Sequence, residues 1–110
     1  MSQPRRIVPR SFYLITRRVA QRMFRLRPSE DINRILEYCM AEAATRFEVK
    51  VIAFMVMSNH YHAVVYDPLG KLPAFLERFH KMVAKAVNAH QERWENLWST
   101  EETCVTRLVT

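Results

Sequence analysis

A chain of 110 residues with 49% hydrophobic composition carries enough apolar surface for one modest core and not for two. No apolar run approaches the ~18 residues of a membrane span, and the opening residues, with Arg5, Arg6 and Arg10, lack the apolar stretch of a secretory signal, so the chain reads as cytoplasmic. Its two cysteines, Cys39 and Cys104, show no C-x-x-C spacing, which argues against a disulfide or zinc knuckle, and its net charge of +6 asks for a polyanionic partner.

Taken in chain order, residues 1 to 10 form a basic arm broken by Pro4 and Pro9. Phe12 to Arg18 is rich in β-formers and predicts a first strand ending in paired arginines; Val19 to Arg27 is a basic connector. Pro28 closes the connector, Ser29 caps a helix, and Glu30 and Asp31 place negative charge where the helix dipole favours it. Ile32, Ile35, Leu36, Cys39, Met40, Ala43, Ala44 and Phe47 recur at three- and four-residue steps, predicting a helix to about Arg46.

Val49 to Met57 and His60 to Tyr66 then predict a hairpin turning at Ser58-Asn59. Asp67-Pro68-Leu69-Gly70, with the only glycine of the chain, turns into a second helix from Leu72 that carries an apolar stripe and ends between Arg93 and Trp98. On that helix His90 continues the stripe as a core-lining or boundary residue, and His80 falls on the solvated side. Trp94 and Trp98 read as packing residues. Thr103 to Thr110 predicts a short fourth strand. The order β-α-β-β-α-β is an α+β split β-α-β arrangement, an antiparallel sheet with two helices on one face. The strand Val49–Met57 is apolar on both faces, so a second copy of the chain is the simplest cover for its outer side.

The positive charge is concentrated. Residues 1 to 29 hold eight arginines and no acidic residue, whereas the rest holds nine basic against eleven acidic residues. Guanidinium groups fork onto phosphates and stack on bases, so nucleic acid is the leading polyanion, with an anionic lipid surface as the competing one. Arg17, Arg18, Arg22, Arg25 and Arg27 are the candidate DNA-binding residues; Phe12, Tyr13 and Phe24 are candidate stacking platforms, or else packing residues.

Met57-Ser58-Asn59-His60-Tyr61-His62 is the element that carries chemistry. In a strand, His60, His62, Val64 and Tyr66 share one face and Tyr61, Ala63 and Val65 the other. Imidazoles at i and i+2 stand ~6 to 7 Å apart at the backbone and can converge on one ion. Two ligands do not close a structural site, so an open ion that polarises a substrate oxygen is the more natural use; the alternative is two rings hydrogen-bonded at a strand end.

Tyr13 to Arg18, Gln21 to Pro28, the turn Met57 to His62, and Asp67-Pro68 with Leu72 to Leu76 together resemble the single-tyrosine transposases of the HUH superfamily, in the branch related to the REP-associated tyrosine transposases. The likeness covers essentially the whole chain. It implies a ferredoxin-like core working as a homodimer, binding of hairpins in single-stranded DNA, and metal-dependent DNA strand cleavage and joining in transposition through a phosphotyrosine link. It implies that His60 and His62 act catalytically by holding a divalent ion, magnesium or manganese, and that the protein is bacterial and nucleoid-associated. In the family the nucleophilic tyrosine and a further polar ligand lie on a helix after the fourth strand, where this sequence stops at Thr110. Tyr13, Tyr38, Tyr61 and Tyr66 fit that role poorly, so the 110 residues are expected to bind DNA without cutting it. A metal-free nucleic-acid-binding module of the same topology is the main alternative, weakened by the absence of the aromatic RNA-recognition signature. A hydrolase of small phosphates is a distant third.

Overall fold

The computed structural model describes residues 7–108, so most of the expected basic arm and the last two residues of the expected fourth strand lie outside the described residues. Strand β1 (Ser11–Arg18) runs into a 3-10 turn (Ala20–Arg22), followed by helix α1 (Glu30–Phe47), strands β2 (Lys50–Met57) and β3 (His60–Asp67), helix α2 (Leu72–Gln91) and strand β4 (Cys104–Leu108). The sheet order is β2-β3-β1-β4 with every pairing antiparallel. This is the expected α+β, ferredoxin-like β-α-β-β-α-β fold.

Local chemistry sets the boundaries. Ser29 Oγ accepts a hydrogen bond from the Ile32 amide at 3.1 Å, satisfying one of the orphan donors at the start of α1, and Glu30 and Asp31 occupy its first turn. At the start of α2 the buried Asp67 carboxylate accepts from the amides of Lys71 and Leu72, at 3.0 and 2.9 Å, so the last residue of β3 caps the next helix. Gly70 takes φ +73° in that turn, where a Cβ would sit 3.3 Å from the Pro9 ring.

The core lies between one sheet face and the two helices. Tyr13 and Ile15 of β1 and Tyr61, Ala63 and Val65 of β3 pack against Leu36, Met40 and Ala43 of α1 and Phe75, Phe79 and Val83 of α2. Alternation along β3 then forces His60, His62, Val64 and Tyr66 onto the other face, which no helix covers. A β-bulge between Val51 and Ala53 shifts the register of β2. Its outer side leaves Ile52 and Met55 each 59% exposed.

Three residues on or beyond α2 depart from expectation. His80 is buried rather than solvated, because Leu76, Phe79, His80 and Val83 lie on the face that meets the sheet. His90 is exposed, 3.8 Å from the Asp31 carboxylate, because the helix stops one residue later when Glu92 adopts φ +54°. Trp94, just past that stop, is 90% exposed, while Trp98 is buried as expected. Among the described residues, no helix is long and apolar enough to cross a membrane.

A candidate metal and nucleic-acid site

The tight β2–β3 turn projects His60 and His62 from the uncovered sheet face, with ring centroids 4.9 Å apart and planes perpendicular. Each Nδ1 has a partner. His60 Nδ1 donates to Asn59 Oδ1 at 2.8 Å, and His62 Nδ1 lies 2.9 Å from Thr16 Oγ1 on the neighbouring strand. A ring whose Nδ1 carries the proton keeps its Nε2 lone pair for an ion, the arrangement that partners of metal-bound histidines commonly enforce. Partial burial, the neighbouring His62 and then Arg18 hold His60 below the usual imidazole range, which keeps it a neutral donor.

These residues fit a divalent ion as a two-ligand open site. No group of three or more His, Cys, Asp and Glu side chains suited to a metal occurs among the described residues, so His60 and His62 would supply two of an ion's ligands. Imidazole suits manganese better than magnesium. The site is part of a broad sheet surface, whereas a cleft of about 420 Å³ lies elsewhere, between α1 and α2 beside Arg46, Arg78 and Lys81. An extended polymer suits such an open face better than a small enclosed ligand does.

The arginines divide into two groups. Arg17 donates to Thr103 Oγ1 at 3.0 Å and to the Ser99 carbonyl at 3.1 Å, and lies 5.7 Å from the Trp98 ring centre, which ties the segment between α2 and β4 to β1. Arg25 is 4% exposed and donates to Gln91 Oε1 and Asn88 Oδ1, stapling the connector to the end of α2. Arg18, Arg22 and Arg27 are exposed, and Arg18 stands opposite His60 in the β1–β3 register. Arg27 lies 5.8 Å from the ring centre of Phe24, which is itself 60% exposed. Of the other expected platforms, Phe12 packs on Tyr66 over the open face, while Tyr13 is buried with its hydroxyl donating to the Val8 carbonyl.

Beneath the histidine pair lies a polar cluster that the sequence did not disclose. Tyr61 turns away from its two histidine neighbours and its hydroxyl meets His80 Nε2 at 2.5 Å, while Arg17 approaches His80 Nδ1 at 3.3 Å and Trp98 donates to the His80 carbonyl at 2.8 Å. Burial, assisted by Arg17, pushes His80 down to about 3, and burial raises the Tyr61 hydroxyl far above the usual phenol range. Tyr61 is thus a structural phenol. Tyr38 is exposed on α1, in the helical layer on the opposite side of the sheet from the pair; Tyr66 shares the histidine face but stands four residues beyond His62. Thr16 also lay outside the sequence-level site, since its contact with His62 depends on the β1–β3 register; Asn59 was within the motif without an assigned role.

A family model described as IS200-like transposase matches residues 12–105. The chain belongs to the IS200-like transposase family. The resemblance drawn from the motif and its flanks is borne out. Two solved structures share the fold of this IS200-like transposase. One, a REP-associated tyrosine transposase bound to a REP hairpin, superposes with a TM-score of 0.79 at 14% identity, covering 100% of this chain and 64% of that chain. The other, a protein of Deinococcus radiodurans R1 described as a transposase, gives 0.72 at 19% identity, covering 99% and 87%. This chain therefore spans less than two thirds of the REP-associated structure. No curated protein matches it.

Proposed function

We propose that this IS200-like transposase binds single-stranded DNA, folded as a hairpin, and presents a divalent ion, manganese or magnesium, to a scissile phosphate at His60 and His62. The observation that carries the reading is the pair of imidazoles 4.9 Å apart on one open sheet face, held at Nδ1 by Asn59 and Thr16, with Arg18 opposite His60. Support for a hairpin partner comes from the solved REP-associated transposase, which is bound to one. The bound ion supplies Lewis-acid polarisation of a phosphate oxygen. The protein's own part is to hold the two imidazoles in place, and to position the backbone through Arg18, Arg22 and Arg27, with Phe24 as a platform for an unpaired base. Arg17 and Arg25 contribute by holding the surrounding chain in place. The protein acts on DNA of the bacterial cytoplasm and pairs with a second copy through the edge of β2 around Ile52, at the end away from the histidines.

Calorimetric titration with manganese tests the metal reading. Wild-type protein should bind manganese and His60→Ala/His62→Ala should not; equal heats would leave a metal-free DNA-binding module. That second reading has one observation in its favour, namely that the hydroxyls of Tyr13 and Tyr61 are engaged inside the fold and Tyr38 lies in the helical layer. Under the same proposal these 110 residues do not nick a DNA strand. Cleavage lost on Tyr66→Phe would show that the strand tyrosine had been set aside wrongly.

DNA binding by charge has its own signature. Each phosphate contact steepens the fall of log affinity with log salt by about 0.7 for single strands. Arg18→Ala should lower that slope by one such step with little loss of sequence preference, read by fluorescence anisotropy on a labelled hairpin across a salt series. An unchanged slope removes Arg18 from the interface.

A further inference from the structure

Two thioethers stand directly across the hairpin from the two histidines. Met55 is the cross-strand partner of His62 and Met57 that of His60. Both methionines lie on the sheet face away from the helices, and both are exposed, Met55 at 59% and Met57 at 38%. Cross-strand partners hold their Cβ atoms about 4.5–5.5 Å apart. Methionine carries its sulfur two bonds beyond Cβ on soft torsions, so each thioether reaches the space above its partner imidazole. The result is a two-by-two block of nitrogen and sulfur donors. It has a definite end, because the next pair along the hairpin, Ala53 and Val64, offers no donor on either strand.

The charge of this donor set decides which ion it suits. An imidazole ligates an ion through an uncharged nitrogen, a thioether through an uncharged sulfur, and the two rings here are contacted at Nδ1 by Asn59 and Thr16. Arg18, opposite His60 on the other side, adds positive charge. A hard dication wants anionic oxygen, and the block contains none; soft sulfur with imidazole instead selects a polarisable ion of low charge. We propose that Met55, Met57, His60 and His62 form a binding site for a soft monovalent cation, of which copper(I) is the type. The site shares its imidazoles with the function proposed above and adds two ligands which that function does not use. Without nucleic acid the protein's own donors favour the soft ion; with DNA in place, phosphate oxygen tips the same imidazoles toward a hard one. A soft ion is therefore a competitive inhibitor of divalent-ion loading.

Silver(I), which stays monovalent in air, is the probe. Cys104 is exposed and would capture silver as a thiolate, yet it is separated from His62 by Thr16, about two strand spacings or ~10 Å away, so Cys104→Ser removes the interference without touching the block. Cys39 is buried. In the Cys104→Ser protein, silver should shift the methyl NMR signals of Met55 and Met57 and displace manganese in competition titration. Met55→Leu/Met57→Leu, at exposed positions that tolerate the change, should weaken silver binding by at least about tenfold while leaving manganese binding as it was. His60→Ala/His62→Ala should weaken both. Methyl signals that stay put, or equal silver affinity in the leucine variant, overturn the site. Manganese binding that survives His60→Ala/His62→Ala instead overturns the function proposed above and leaves the silver result standing on its own.

Discussion

Thr16 shows how a residue outside the metal-binding motif can govern it. Its hydroxyl, 2.9 Å from His62 Nδ1, anchors the ring, and by accepting from Nδ1–H it would leave Nε2 as the ligating nitrogen; Asn59 contacts Nδ1 of His60 in the same way within the turn. Thr16→Val keeps the shape and the β-branch but removes the acceptor. Loss of an orienting partner of this kind costs roughly 10–100-fold in metal affinity. Manganese calorimetry on Thr16→Val should show that weakening with thermal stability nearly unchanged, and long-range nitrogen-15 spectra should show His62 losing its single tautomer. Unaltered affinity would mean that the strand holds the ring without help. The sequence could name Asn59 because it adjoins His60, but Thr16 is 46 residues from His62 and meets it only once β1 and β3 pair in register.

At the scale of elements, β2 is the strand whose outer surface is least explained by its own chain. It lies at one edge of the sheet, and the bulge between Val51 and Ala53 leaves Ile52 exposed at the end away from the turn that carries the histidines. An exposed apolar edge is a ready template for another copy, and a bulge re-aims the side chain that meets it. Sedimentation should show concentration-dependent self-association that Ile52→Lys abolishes with manganese binding intact; a wild type that stays monomeric at high concentration sinks the dimer. The order of elements was legible because apolar periodicity, the Ser29 cap and the Asp67-Pro68-Leu69-Gly70 turn are local signals. The stop of α2 was placed too late, because the left-handed conformation at Glu92 comes without a glycine to announce it. Alongside Arg18, Arg22 and Arg27, sequence position marks Arg17 and Arg25 as DNA-binding candidates. Their fate depends on Ser99, Thr103, Asn88 and Gln91, remote partners that draw them into the fold.

For the molecule as a whole, the buried His80 couples the fold to pH. It is enclosed by Tyr61, Trp98, Phe79 and Arg17, and carries its proton only near pH 3 when folded, against an ordinary 6.5 when unfolded. Between those values the unfolded chain binds a proton that the folded chain refuses, so stability rises with pH across this window and is lost as pH falls from 6.5 toward 3. Each pH unit inside the window is worth up to about 1.4 kcal/mol for one such group. Other groups act in the same direction. His60 is depressed by partial burial and its positive neighbours, and Glu42 is held below the usual carboxylate range by its hydrogen bonds to Arg78 and Arg46. Urea unfolding at pH 7, 6 and 5 should therefore show progressive loss, steepest below the ordinary histidine value. His80→Gln, which keeps an amide near Tyr61 and cannot gain a proton, should start less stable at pH 7 and lose less on acidification. Parallel pH profiles for the two proteins would place the acid sensitivity elsewhere, and would mean that water reaches His80 well enough to let it charge inside the folded chain.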